Sequence, residues 1–555
     1  MSRINVVFLK ALADENRMKM MDLLKEGQMC VSDICQHFDM RQPSVSHHLT
    51  ILKRAGIVDS QKCGKEMMYS LNDQYVNHCC AKLSAHYSDG VITNNIYQLM
   101  VQRMKLNPEL FRSGNFGLEK ENLRVNDFGY LDQSDHPITS EDPLYYNIVK
   151  DFAESQVEFV TEPQTDPGLA LEELSRLQDH FVQTYDVRLW PFSMPSGLAP
   201  DEDIRIAEFP NTAAGKVARE YREMLALRHG KKMQLISGVH YNFSFSDAFV
   251  NHYKDMVIPD GEIDLKAAKN QLYFHVARNI LRYKWLLIYL FGASPFVDSS
   301  YKTEVTAQLK GIEHSCECCG GANTFYEDYA TSLRMSRYGY HNKLQEKMRV
   351  SYNTLEEYIQ HMRQGIDKGI LQKESEYYAP LRFKNSRGIK GSMLNALEAD
   401  GVEYLELRLF DLNPYETYGL TMDQMYLTHL FLVYSAIKPS PCISGKEMTR
   451  IYANGQLVSL FGRKENKEVY YRDGFRRIDT LGLEILDELK GIAEVLDTDI
   501  VDAPYMTAVE NSEEILKDQS LLLSERLTRE LLEDGLSYLG QGIRHSISEK
   551  KGVLR

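Results

Sequence analysis

The stretch FGLEKENLRV, Phe116 to Val125, sets Glu119 and Glu121 two residues apart. In an extended strand that spacing puts both carboxylates on one face. Later segments repeat the pattern. In GVHYNFSF, His240, Asn242 and Ser244 share one face, and Val239, Tyr241, Phe243 and Phe245 the other. In VEYLELRLF, Tyr404, Glu406 and Arg408 alternate with Leu405, Leu407 and Leu409. DFAESQVEFVTEP adds Asp151 and Glu158. The pattern predicts a sheet with one greasy face on helices and one polar face turned to a cavity. Any one such strand is ordinarily a solvated face with cross-strand ion pairs. Acids opposite Leu and Phe in several separate segments argue instead for one chamber.

So many acids cannot share a pocket unpaired, because mutual repulsion would protonate them or open the site. Hard oxygen ligands of this kind suit Mg2+, with Mn2+ as a substitute. Magnesium held by a few carboxylates usually has phosphate as its other partner, which points to an ATP-using enzyme.

The chain has 555 residues, too many for one core, so two or more domains are expected. At 43% apolar and 26% charged residues it reads as an ordinary globular protein. The net charge of −14 gives no case for a nucleic-acid or membrane binder as a whole. The charge is uneven: residues 1–90 hold 11 Lys+Arg and 10 Asp+Glu, about +1, which leaves about −15 for the rest. The start lacks the pattern of a signal peptide. The longest apolar run, Trp285 to Phe291, is far shorter than the roughly 20 residues of a membrane span. With no secretion signal, the nine cysteines read as free thiols and the location as cytoplasmic.

Residues 4–13 and 15–26 carry apolar residues at helical spacing, with Gly27 as a stop. A short helix, Val31 to Phe38, follows. The next runs from Gln42, with Pro43 in its first turn, to Gly56. IVDSQKCGKEMMYSL then reads as a hairpin turning at Cys63–Gly64. Together these elements form a winged helix-turn-helix. Its second helix would enter the major groove of an operator, with Gln42, Ser44, Ser46 and His47 near base edges or phosphates. Lys53, Arg54, Lys62 and Lys65 are candidate phosphate contacts.

ALADENRMKMMDLLKEG, VSDICQHF and QPSVSHHLTILKRAGIV, followed by the wing, resemble the ArsR/SmtB family of metal-sensing repressors over residues 4–87. The resemblance implies a homodimer that binds DNA through residues 1–88. It also implies sensor thiols at Cys30 and Cys35, with Ser32 where arsenic-type members carry the central thiol. Cys63, Cys79 and Cys80 are candidate substitutes.

Ser88 to Asn95 is linker-like, with residues 89–95 as the expected boundary. Beyond it, FGLEKENLRV, DFAESQVEFVTEP, LWPFSMPSGL, YREMLALRHGKKMQLISGVHYNFSF, YLFGASP, TSLRMSRYGYHN, EYYAPLRFK and EYLELRLFDLNP occur in order. This region resembles bacterial glutamate–cysteine ligase. The resemblance implies metal ligands at Glu119, Glu121, Asp151, Glu158, His240 and Glu406. Arg408 and Arg222 would contact the transferred phosphate. Arg334 and Gln234 would hold L-glutamate, and Phe152, Tyr221, Tyr340 and Tyr378 would surround L-cysteine. The implied reaction is ATP-dependent formation of γ-glutamylcysteine through a γ-glutamyl phosphate. Lys120 stands where arginine is common in the family. No fused glutathione synthetase is expected before Arg555.

The expected fold is α+β: a winged helix-turn-helix domain over 1–88, then a ligase domain over 96–555. In the second, a mainly antiparallel sheet covered by helices forms an active-site funnel. Within it, Thr306 to Thr324 reads as a cysteine-rich insertion, whose His314, Cys316, Cys318 and Cys319 are soft ligands or redox thiols. Two alternatives stand beside the fused ligase. One is a regulator that uses an inactive ligase domain as a ligand sensor; the other is a γ-glutamyl ligase for a different amine.

Overall fold

The computed structural model describes residues 6–25, 27–63, 66–72, 75–76, 79, 101–102, 104–257, 263–312, 324–339, 348–472 and 474–546. The chain divides into two compact units, Met1–Leu99 and Met100–Arg555.

The first unit holds α1 (Val6–Leu12), α2 (Glu15–Lys25), α3 (Val31–Cys35) and α4 (Gln42–Arg54). Strands β1 (Met29–Cys30), β2 (Val58–Cys63) and β3 (Glu66–Leu71) form an antiparallel sheet in the order β1–β3–β2. Val45, Leu49 and Leu52 of α4 recur at helical spacing and are fully buried with Phe8, Met20 and Ile34. Cys30 caps α3: its thiol accepts from the Asp33 amide, and the Asp33 carboxylate accepts from the Cys30 amide. The expected third helix stops at Cys35 rather than Phe38. The hairpin also differs slightly from expectation: Cys63 still pairs with Glu66, so it ends the strand instead of starting the turn.

The second unit is built on a seven-stranded antiparallel sheet. Its strands are β4 (Gly114–Val125), β5 (Ile148–Lys150), β6 (Gln156–Val160), β7 (Arg188–Leu189), β8 (Val239–Phe245), β12 (Leu381–Lys384) and β13 (Tyr404–Phe410). The order is β12–β13–β8–β4–β6–β5, with β7 on the far end of β4. The greasy face is covered by α5 (Pro167–Tyr185) on β4 and β6, and by α7 (Leu265–Phe291) on β12 and β13. Helix α8 (Met422–Ile437) packs between them, its His429 ring edge-on to Phe116. Helix α6 (Ala213–His229) carries Arg222, and α9 (Gly445–Phe461) lies along α7. Lys120 lies on the helix-covered face between the two acids, where its ammonium donates to Gln178 of α5. Burial pushes that amine down to about 7.

A three-stranded sheet of β9 (Phe296–Asp298), β10 (Lys310–Ile312) and β11 (Thr324–Tyr326) pairs Ile312 with Thr324 across the expected insertion. His314 and the three insertion cysteines lie outside the described residues, as do Lys65, Cys80, the 89–95 boundary and Tyr340. Among the described residues, no helix is long and apolar enough to cross a membrane.

Candidate active site

The register of the central strands assembles the acids. Glu119 pairs with His240, Glu121 with Glu158, and Glu406 with Asn242. Directly paired residues in an antiparallel sheet project to the same side, so these side chains share the polar face. Two triads result, Glu119–His240–Glu406 and Glu121–Glu158–His240, each with ligand atoms within 4.8 Å of one another.

His240 joins the triads. Its Nδ1 lies 3.0 Å from Glu119 Oε2 and 3.6 Å from Glu406 Oε1. Its Nε2 faces Glu121 Oε1 at 3.6 Å, is buried, and has no hydrogen-bond partner among the described residues. Burial and the Arg408 guanidinium hold the imidazole neutral, down to about 4. With its proton on Nδ1 toward Glu119, the ring turns the Nε2 lone pair to Glu121 and Glu158, as a metal-ligating histidine does.

The acids split into two electrostatic groups. Burial works to raise Glu406, but Lys384, Arg408 and Arg382 outweigh it and hold it well below the usual range. Burial likewise opposes Glu119, but the hydrogen bond with His240 leaves it lowered. Burial and the nearby Asp151 push Glu121 up to about 8. Burial, with Asp151, Glu119 and Glu121, drives Glu158 well above the ordinary value, and burial raises Asp151 as well. Without a cation, Glu121 takes up a proton at neutral pH and Glu158 is pushed in the same direction; a divalent ion would oppose that push. The bare imidazole nitrogen and the crowded carboxylates therefore fit a hard divalent cation.

The cationic side is equally ordered. Arg408 Nη1 donates to Glu406 Oε1 at 2.9 Å and lies 3.2 Å from His240 Nδ1. Arg222 donates to the Asp151 carbonyl and lies 4.4 Å over the Phe209 ring. Arg334 is fully buried, 3.7 Å from Asp411, and donates to the Arg408 carbonyl at 3.3 Å. Gly238 gives it room: a Cβ there would stand 2.2 Å from Arg334 Nη2. Gln234 accepts from the Tyr378 hydroxyl at 2.9 Å. Tyr221 lies under the Lys373 ammonium, and Phe152 is buried in the core beside β4.

Several residues of this face were not singled out from sequence. Lys384 Nζ lies 3.4 Å from Glu406 Oε2, and Arg382 pairs with Glu406 on β12. The alternation of LRFK, with Arg382 and Lys384 between Leu381 and Phe383, carries a signal of the same period-two kind. Asn242 donates to Glu119 at 3.0 Å. Asp411 accepts from Ser294, Ser332 and the Ala293 amide, which fixes it beside Arg334; nothing local in FDLNP announces that role.

In the first unit, Gln42, Ser44 and His47 are exposed on α4 and Ser46 is half-buried. Lys53, Arg54 and Lys62 are exposed, with Lys53 donating to Ser60 of the wing at 2.6 Å. Cys30 is buried and Cys35 half-buried, and among the described residues no cysteine joins a group of three metal-capable side chains.

Residues 100–369 and 364–458 match the family model described as glutamate–cysteine ligase. The chain belongs to that family. A glutamate–cysteine ligase of Clostridium acetobutylicum is 38% identical over 463 residues, covering 79% of this chain and 96% of that one. The bifunctional glutathione biosynthesis protein of Clostridium perfringens is 35% identical over 436 residues, 77% of this chain and 53% of its own. Among solved structures, the glutamate–cysteine ligase of Francisella tularensis in complex with AMP superposes with a TM-score of 0.69 at 28% identity. That match covers 78% of this chain and 87% of the other. Residues 14–60 match the bacterial regulatory protein arsR family, so this glutamate–cysteine ligase family member carries an arsR-type helix-turn-helix segment ahead of its ligase region.

Proposed function

We propose that the second unit joins the γ-carboxylate of L-glutamate to the amine of L-cysteine at the expense of ATP. One observation carries this reading: two acid–histidine triads share a sheet face with Arg408, and Arg222 approaches at Asp151. A carboxylate resists an amine at neutral pH because it is an anion with no leaving group. One γ-carboxylate oxygen attacks the γ-phosphorus of ATP, the bond to ADP breaks, and a γ-glutamyl phosphate forms. The cysteine amine then attacks the acyl carbon, phosphate leaves with the C–O bonding pair, and the amine sheds a proton.

In this reading the roles divide as the family resemblance implies. Arg408 and Arg222 spread the charge of the transferring phosphoryl group. Arg334 and Gln234 hold glutamate, while Tyr221, Phe152 and Tyr378 wall the acceptor side. Glu119, Glu121, Asp151, Glu158, His240 and Glu406 are the residues that would hold Mg2+. When bound, magnesium supplies charge neutralisation between ATP and the attacking carboxylate. The residues themselves contribute mostly position, since both amino-acid substrates are small and the chemistry is electrostatic.

ADP release by the purified protein with glutamate plus a panel of amines tests the reading. Turnover greatest with cysteine, and lost in Glu119→Gln, supports it. Turnover unchanged in that variant refutes the site, and a preferred amine other than cysteine refutes the acceptor.

For the first unit we propose operator binding as a homodimer through α4, with residues 89–95 as the linker and the chain resident in the cytosol. The exposure of Gln42, Ser44, His47, Lys53, Arg54 and Lys62 supports the DNA contact. A gel shift on the DNA upstream of its own gene, repeated across salt concentrations, tests it; salt-insensitive or absent binding counts against it.

A further inference from the structure

Glu154 lies in the turn from β5 to β6, three residues beyond Asp151, and is only 1% exposed. It belongs to neither acid–histidine triad. Both of its carboxylate oxygens are taken up by the protein itself. Oε2 accepts from the His136 amide at 2.6 Å, and Oε1 from the Glu208 amide at 2.6 Å and the Lys150 ammonium at 2.9 Å. Burial works against the charge, but these donors outweigh it and hold the carboxyl below its ordinary value. Lys150 also donates to the Glu208 carbonyl at 3.1 Å, and Arg124 to the Glu154 carbonyl at 3.0 Å.

What this carboxylate pins is the mounting of two site residues. Asp151 stands beside the second triad: after burial, it is the neighbour that raises Glu121 and Glu158 most. Its own backbone tie is long, the amide donating to the Gln156 carbonyl at 3.4 Å. Lys150 and Glu154 close the turn from either side of it. Arg222 donates to the Asp151 carbonyl and rests 4.4 Å over the Phe209 ring. Phe209 directly follows Glu208, whose amide Glu154 holds. Asp151 and the shelf under Arg222 thus hang on one buried side chain.

A buried ion pair is a poor source of stability, because desolvation offsets most of its attraction. Apolar contacts would tie these segments together with less desolvation. What a carboxylate adds is direction: it fixes three donors from three segments at once. We propose that Glu154 is a positioning residue, which sets Asp151 against the divalent cation and Arg222 against the transferring phosphoryl group. The proposal rests on the ligase reading of this unit.

The test titrates Mn2+ alone into the EDTA-treated, desalted full chain, followed by the electron paramagnetic resonance signal of free Mn2+. Partners one shell outside a metal ligand are worth roughly 10- to 100-fold in affinity or activity. Glu154→Gln should weaken Mn2+ binding by that factor, and kcat should fall likewise with the glutamate KM within about twofold. Glu154→Asp keeps the charge one methylene further back and should lie at the lower end of that range. It carries the test alone if thermal melting shows the Gln variant to be unfolded. Asp142→Asn controls for general loosening: Asp142 accepts from the Tyr185 hydroxyl at 2.6 Å and lies 2.9 Å from His180 Nε2, both on α5. It fastens the chain just beyond His136 without touching the turn, so its Mn2+ affinity should stay near wild type. Wild-type affinity in the Glu154 variants overturns the proposal, and so does an equal loss in Asp142→Asn. Wild type that binds no Mn2+ overturns it together with the cation site. Wild type that binds Mn2+ but turns over no amine refutes the ligase reading alone, since the Mn2+ comparison still decides whether Glu154 sets Asp151.

Discussion

Gly238→Ala separates folding from substrate binding. Gly238 precedes β8, and its carbonyl accepts from the Glu121 amide at 3.0 Å. An added Cβ would meet Arg334 Nη2 at 2.2 Å, Cζ at 2.4 Å and Nε at 2.6 Å. Carbon and nitrogen atoms settle at roughly 3.5 Å, so the guanidinium must move by about 1 Å. The colliding group is the far end of a long side chain, so the backbone stays and the arginine yields. It yields from a fully buried position fixed by Asp411 and the Arg408 carbonyl. A displacement of about 1 Å in a positioning group lowers rate by about 100-fold. Stability should fall by about 1–3 kcal/mol, the usual cost of overpacking a buried site. Steady-state kinetics should show kcat/KM for glutamate lower by one to two orders of magnitude, as that displacement predicts. The KM for ATP should hold near wild type, with the melting temperature lowered by only several degrees. Glutamate kinetics within twofold of wild type would refute the placement of glutamate against Arg334, and a collapsed melting temperature would refute the claim that the arginine alone yields.

Other outcomes follow from the same geometry. Glu121 at about 8 binds a proton in the metal-free fold that the unfolded chain, at 4.5, gives up. The stability this proton confers is whole below pH 4.5 and is lost as pH rises toward about 8. Glu121→Gln should therefore raise the EDTA-treated melting temperature most above pH 8, and should abolish the further rise that magnesium gives wild type; thermal melts at two pH values check both. Arg408→Lys keeps the charge but loses the fork that reaches Glu406. Its kcat should fall by about 100- to 1,000-fold with the glutamate KM little changed; a raised glutamate KM with kcat unchanged would assign Arg408 to ground-state binding. Cys30→Ala removes the α3 cap, at about 1 kcal/mol, whereas Cys30→Ser keeps it. Metal-free melts of the two variants should differ, and equal melts would remove the capping role.

The two-sided strands were legible because period two is a local property: in Glu119–Glu121, His240–Ser244 and Glu406–Arg408 every polar side chain lies opposite Leu, Tyr or Phe, or, at position 120, lysine. The helix-turn-helix was legible for a like reason, from apolar residues at helical spacing over 15–26 and from Pro43 and Gly56 bracketing the next helix. The hairpin end at Cys63 and the early stop of α3 slipped by a few residues, since element ends depend on individual caps and last hydrogen bonds.

Sequence by itself determined which residues lie on the polar face of each strand, because alternation needs only neighbours along the chain. Tertiary structure alone decided which of them meet. The contact between His240 and Glu119 spans 121 positions, and the same alternation is compatible with any even shift of register. Packing of α5, α7 and α8 on the other face selects one register. That choice sets Glu121 beside Glu158, brings Lys384 and Arg382 from β12 to Glu406, and fits Arg334 over Gly238.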